Sequence, residues 1–222
     1  MQQQNSTTTK KLANRPGRPP AGKSLTPHAV AEAAARLIDD EGIEDLSMRR
    51  LGQKLGVEAM ALYNHFEDKE AIIDAVAGLT LARIPVPPLK GAWRNRVKGV
   101  CRAVRDLAQR HPNLFRVAFS RRSLPTAALP VVEGMLAAFS DAGLSTETQV
   151  SAYHACHLYV RGFCLWELET FGRLPEGQIP QIPPLNGDYP RAAAEKQRIF
   201  APDLDREFEA GIDMILRGLP AR

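Results

Sequence analysis

A chain of 222 residues with 44% hydrophobic and 24% charged side chains can bury a core of its own, which excludes a wholly disordered protein. Three cysteines are too few for a disulfide framework, the first 25 residues lack the apolar core of a secretory signal, and no run of eighteen apolar residues occurs. The expectation is a reduced, soluble, cytoplasmic protein with no membrane partner. The net charge of +4 is uneven: residues 1–25 carry Lys10, Lys11, Arg15, Arg18 and Lys23 without an acid, whereas residues 26–70 hold five basic and ten acidic side chains.

Met1 to Thr9 is too polar to offset its ordering entropy by burial, so residues 1–23 read as a flexible basic arm. Such an arm binds nucleic acid or an anionic surface, or merely solubilises the chain. Thr26 is placed to cap a helix that starts at Pro27, carries Val30, Ala33, Ala34, Leu37 and Ile38 on one face, and stops at Gly42. Ser47 caps a second, short helix through Leu51 and Leu55, Gly56 supplies a left-handed turn, and a third helix follows from about Glu58 to His65. A fourth runs from Lys69 through Ile72, Ile73 and Val76 to Ala82, ended by the Ile84-Pro85-Val86-Pro87-Pro88 linker that divides residues 24–84 from 85–222.

Beyond the linker, Trp93, Val97, Val100, Cys101, Val104 and Leu107 form one apolar stripe, broken at His111-Pro112. Val131 to Phe139 predict a helix behind Pro130. Thr146 to Phe171 is apolar nearly all round and predicts a long helix covered on several sides. Leu174 to Pro190 reads as a loop, and Leu204 to Leu219 as a closing amphipathic helix. Nothing alternates as a strand does, so the fold class is all-α.

Two short helices joined by a glycine turn can hold the second helix in a DNA major groove. Leu51, Leu55, Val57 and Leu62 fall where these helices must pack, and Gly52 is small enough to let them approach. Helical hairpins that never touch DNA share this pattern. The run from Leu46 to Ile72 is more specific: with its Leu62-Tyr63-x-His65-Phe66-x-x-Lys69 ending, it resembles the DNA-binding segment of the tetracycline-repressor (TetR) family. The likeness covers roughly residues 24–80, and the order of the later helices is similar to that of the tetracycline-repressor branch.

The resemblance implies a dimeric, all-helical bacterial regulator, usually a repressor, that binds a palindromic double-stranded operator and leaves it when a small-molecule effector enters the larger domain. It implies no cofactor. It places Glu58, Ala59, Met60 and Ala61 at the exposed start of the recognition helix, Tyr63 and Asn64 on the groove side, and His65 and Lys69 near phosphates. Tyr63, His65 and Lys69 can donate to phosphate oxygens, Arg49 has the bidentate fork for guanine, and Asn64 can pair with adenine. Ala59, Met60 and Ala61 depart from the polar residues often found there, which leaves few groups for direct readout. Arg15-Pro16-Gly17-Arg18-Pro19 resembles a minor-groove hook with Arg18 as the inserted side chain.

For the effector, Val104, Leu107, Phe115, Phe119, Met135, Phe139, Phe163 and Trp166 either line a pocket or simply fill a core. Arg116, Arg121 and Arg122 either meet an anionic ligand or form a solvated basic face. A tetracycline–magnesium effector is not expected, since the positions of the family's metal-binding histidines hold Pro85 and Arg116. His154 and His157 stand three apart on the long helix and, lacking a third ligand at suitable spacing, read as packing or interface residues, so no metal is expected. Cys101, Cys156 and Cys164 lie in apolar stripes and read as buried, inert thiols.

The resemblance also suggests dimerisation through the long and last helices as a four-helix interface, with Leu158, Phe163, Trp166, Phe208, Ile212 and Ile215 in the seam. No GxSxG, GxGxxG, P-loop or HExxH pattern occurs, and no enzyme is expected. The competing readings are unfamiliar enzyme chemistry and an architectural protein that binds DNA with little regard to sequence.

Overall fold

The computed structural model describes residues 25–121, 124–172, 174, 178, 180–181 and 187–220. The basic arm with Arg18, Arg122, and most of the segment read as a loop from Leu174 to Pro190 lie outside the described residues.

Local side-chain chemistry opens three of the first four helices. Thr26 Oγ1 accepts from the Ala29 amide at 3.1 Å and opens α1 (Pro27–Glu41), which Gly42 closes at φ 94°. Ser47 Oγ accepts from the Arg50 amide at 3.2 Å and opens α2 (Met48–Leu55), and Gly56 takes the left-handed conformation at φ 69°, ψ 27°. The third helix, expected to reach His65, is regular only over α3 (Ala59–Leu62). The amides of His65 and Phe66 both bond to the Leu62 carbonyl at 3.0 Å, a tightened turn that ends the regular ladder early. Asp68 then caps α4 (Lys69–Leu81) through the Ala71 amide at 2.8 Å. Caps of this kind contribute about 1 kcal/mol each.

These helices enclose an aliphatic core that includes Val30, Leu37, Ile38, Leu51, Leu62, Ile72 and Val76. Leu114 and Val117 complete it from across the linker. They belong to α6 (Pro112–Ser120), which follows α5 (Trp93–Arg110). His111-Pro112 does break the α5 stripe, and Pro112 also starts the new helix, where its missing N–H costs nothing. His111 Nδ1 lies 2.6 Å from Asp39 Oδ2, and Asn113 Nδ2 donates to the Asp39 carbonyl at 3.1 Å, so α6 is tied to α1.

The larger unit adds a 3-10 turn (Thr126–Ala128), α7 (Leu129–Asp141), α8 (Thr146–Thr170), the short α9 (Pro190–Ala194) and α10 (Lys196–Phe200), and α11 (Leu204–Arg217). No strand occurs among the described residues. Helix α8 is packed by α5, α7 and α11, which explains why its apolar residues point in several directions.

Two contacts fix α11 on α8. The Tyr159 ring lies over Gly211, where a Cβ would fall 2.1 Å from its hydroxyl, and that hydroxyl donates to the carbonyls of Glu207 and Phe208 at 3.0 and 3.2 Å. Arg105 on α5 makes two bonds to Glu167 on α8 at 2.9 and 2.7 Å and reaches Asp205 on α11 at 2.8 Å. Gly134 does similar work for the linker: a Cβ there would fall 2.5 Å from Pro87 Cγ, so only glycine seats the linker against α7.

Candidate nucleic-acid interface and effector cavity

The approach of α2 to α3 depends on one position. A Cβ at Gly52 would lie 2.9 Å from the Val57 carbonyl oxygen and 3.2 Å from the Ala59 nitrogen, both backbone atoms that cannot yield. With Gly52 buried and Leu62 fully enclosed, the opposite side of α3 faces outward. Met60 is 71% exposed and Tyr63 48% exposed, a large apolar and amphipathic surface for so short a helix. Glu58 and Asn64 are exposed as well, while Ala59, Ala61, His65 and Lys69 are half-buried.

Charge on this face is uneven. Arg50 is bonded to Glu41 and Asp45, and Lys54 lies within 3.4 Å of Glu41, so the acids around α1 neutralise both. Arg49 is exposed and forms no ion pair among the described residues, and neither does Lys69. The turn from Arg49 to Lys69 therefore presents unpaired cations and hydrogen-bond donors beside a small, partly apolar helix face. That combination suits phosphate contacts and base edges.

The second feature is a cavity of about 390 Å³ in the larger unit. Its walls come from α5 (Val100, Cys101, Val104), α6 (Ala118, Phe119), the turn before α7 (Leu124, Pro125, Ala128), α7 (Val131, Val132, Met135) and α8 (Tyr153, His154, Cys156, His157, Val160, Arg161). Arg121 closes one side, and Leu81 and Ile84 bring the end of α4 into the wall. His157 is stacked between Tyr153 and Phe119, with centroids 5.7 and 6.0 Å away. Burial, with Arg161 and His154 nearby, lowers the His157 pKa and keeps the imidazole neutral. The Cys101 thiol is pushed up by its contact with Cys156 and by burial, and burial pushes Cys164 up to about 12. All three cysteines are buried. No group of three His, Cys, Asp or Glu side chains among the described residues could hold a metal ion.

Of the residues expected at the effector, Val104, Phe119 and Met135 line the cavity, whereas Leu107, Phe115, Arg116, Phe139, Phe163 and Trp166 do not. Leu107 and Phe115 are buried in the shared core, Phe115 stacked on Phe119 at 4.5 Å, and Arg116 is half-buried elsewhere on α6. Phe163 points to α11, 5.1 Å from Phe208 and under the Arg105 guanidinium. Trp166 is 38% exposed, edge-on to Phe163.

The expected seam needs a related correction. Phe208 and Ile212 are 1% and 0% exposed inside the protomer, because α11 turns them onto α8 and α5, and they offer no surface to a partner. Ile215 is half-buried against the same core. Leu158 and Trp166 remain exposed, joined by Met214 of α11 at 69%.

Arg161, Tyr153 and His157 were missed as cavity residues because apolar side chains were favoured. Their signal is the recurrence of Tyr153, His157, Val160 and Arg161 along one side of an otherwise uniform helix.

A helix-turn-helix unit with an open cationic face, joined by one helix to a hollow all-helical unit, defines a helix-turn-helix transcription regulator. Residues 30–76 match the bacterial regulatory proteins of the tetR family, and residues 85–222 match the tetracyclin repressor-like C-terminal domain. The chain belongs to the TetR family of transcription regulators.

It is 33% identical to the HTH-type transcriptional repressor DrrR1 of Streptomyces coeruleorubidus, over 92% of this chain and 80% of that protein. The structure of Streptomyces coelicolor ActR in complex with actinorhodin superposes with a TM-score of 0.74 at 25% identity, covering 88% of this chain and 97% of that one. BioQ on its natural double-stranded DNA operator superposes with a TM-score of 0.61 at 27% identity, covering 88% and 98%. No described helix is long and apolar enough to cross a membrane.

Proposed function

We propose that the chain is a homodimeric repressor that holds a palindromic operator through residues 24–84 and releases it when a small molecule enters the cavity of residues 85–222. The observation that carries this reading is the course of α4. It begins at Lys69, beside the recognition turn, and about 20 Å further on it ends with Leu81 and, just beyond, Ile84 in the cavity wall. A ligand that displaces Leu81 or Ile84 moves the helix on which the reading head is mounted. Two such heads in a dimer then change their separation, which is a population shift between competent and incompetent states.

Arg49, Tyr63, Asn64, His65 and Lys69 are the polar contacts in this reading, with Glu58, Ala59, Met60 and Ala61 at the groove and Arg18 in the minor groove. The BioQ structure, solved on its operator, and the ActR structure, solved with actinorhodin, support a fold able to do both jobs. The seam in this reading takes Leu158 and Trp166 on α8 and Met214 on α11, large apolar side chains left exposed on the two helices expected to form a four-helix interface.

The experiment is a footprint of the purified chain on the DNA upstream of its own gene, followed by a metabolite screen for release. Protection of two half-sites about one helical turn or slightly more apart is expected. Protection that ignores sequence would point to an architectural protein instead. Leu158→Glu should convert a species of twice 24.4 kDa into one of 24.4 kDa by sedimentation, and an unchanged mass would remove Leu158 from the seam.

A further inference from the structure

Two arginines reach the cavity, and they differ in how their charge is compensated. Arg121 is already compensated: its Nε lies 2.7 Å from Asp74 and its Nη1 2.9 Å from Glu70, both on α4. Arg161 is half-buried on α8 and forms no ion pair among the described residues. No Asp or Glu contributes to the wall. The cavity wall that Arg161 shares is otherwise apolar apart from Tyr153, the imidazoles of His154 and His157, the thiols of Cys101 and Cys156, and the already paired Arg121. None of these groups is a carboxylate. A cation set against an apolar wall without a counterion favours any ligand that brings one.

Resting on the reading of this cavity as the effector site, we propose that its ligand is an apolar acid, a flat ring body bearing one anionic group, and that Arg161 receives that group. The body has its place along the Phe119–His157–Tyr153 stack, and about 390 Å³ accommodates two to three fused or linked rings. Because His154 and His157 are donors on the same side of α8, they complete the contact to the anion. Arg121, neutralised by α4, adds little to this end of the site.

A matched pair of fluorescent probes tests the assignment: 8-anilinonaphthalene-1-sulfonate and its uncharged counterpart N-phenyl-1-naphthylamine, each titrated into the full chain. Arg161→Gln should weaken the sulfonate about tenfold and leave the uncharged probe within about twofold, as expected for loss of one charge-assisted contact. Arg161→Lys should keep most of the sulfonate affinity, and Arg121→Gln should lower it by less than about threefold. An unchanged far-UV circular dichroism spectrum and a cooperative thermal transition show that each variant is folded.

An equal loss for both probes, or no loss for the sulfonate, overturns the role of Arg161 while leaving the cavity reading intact. Failure of the wild-type chain to bind either probe overturns the cavity reading and the proposal together. So does undiminished binding of both probes by Val104→Trp and Met135→Trp, which fill the space.

Discussion

Arginine is used in opposite ways on the two sides of α4. In the reading head Arg49 is exposed without a counterion, Arg50 is held at the surface by Glu41 and Asp45, and no charged side chain among the described residues enters the core. In the larger unit Arg96 and Arg105 are only 4% and 8% exposed, bonded to Asp141 and to Glu167 respectively. An exposed cation keeps its donors for an incoming phosphate at little cost to stability. A buried one is committed to its carboxylate, and the penalty for stranding it holds α5 to α7 at Arg96 and α5 to α8 and α11 at Arg105. Arg161 belongs to neither class, since it is half-buried and forms no ion pair among the described residues.

The comparison can be broken most sharply at Glu167. Glu167→Ala leaves Arg105 with only the exposed Asp205 as a partner and should cost about 3 kcal/mol in urea unfolding, while a paired Arg105→Met, Glu167→Leu variant should recover most of the loss. Arg50→Ala removes ion pairs at the surface and should cost less than about 1 kcal/mol; a larger cost would erase the distinction between the two units. Gly52→Val forces a side chain against the Val57 carbonyl and should cost about 2 kcal/mol and abolish gel shifts, because α2 and α3 can no longer meet.

Tyr159→Phe leaves the ring over Gly211 and removes only the bonds to α11, so thermal unfolding should register about 1 kcal/mol. The smallest effect is one of pH. The Arg102 hydrogen bond, aided by Lys98, holds the Glu209 pKa below its ordinary 4.5, so this contact stabilises the fold above that pH and is lost as the pH falls through the lowered value. The stability gap between wild type and Glu209→Gln should therefore close on acidification below 4.5, and a gap that widens would contradict the pairing.

The reading head was legible because its structure is decided locally. Thr26, Ser47 and Asp68 cap their helices through amides three residues on, and Gly42 and Gly56 sit where the backbone needs a positive φ. Asp68 was not singled out as a cap from sequence, although its helix was placed at Lys69. The larger unit was legible only as helices. Which face of α8 meets α11, and which meets the cavity, is settled by Arg105, Tyr159 and Gly211, whose partners lie 48 to 100 residues away. Apolar spacing alone could not separate Phe163, turned to Phe208, from Phe119, turned to the cavity, nor foresee that Phe208 and Ile212 face inward. Helix α6 was hidden because a proline that ends one helix can equally begin the next.

The most direct test of the central claim, that the face from Arg49 to Lys69 grips duplex DNA, is a salt titration of operator binding across a set of single-base variants. For Lys69→Ala we expect a uniform loss on every sequence and a log–log salt slope reduced by about one; for Arg49→Ala, a loss of about 1–3 kcal/mol confined to one base pair of each half-site. Operator binding by the wild-type chain that is insensitive to salt, or equal losses for Arg49→Ala at every position, would contradict the account.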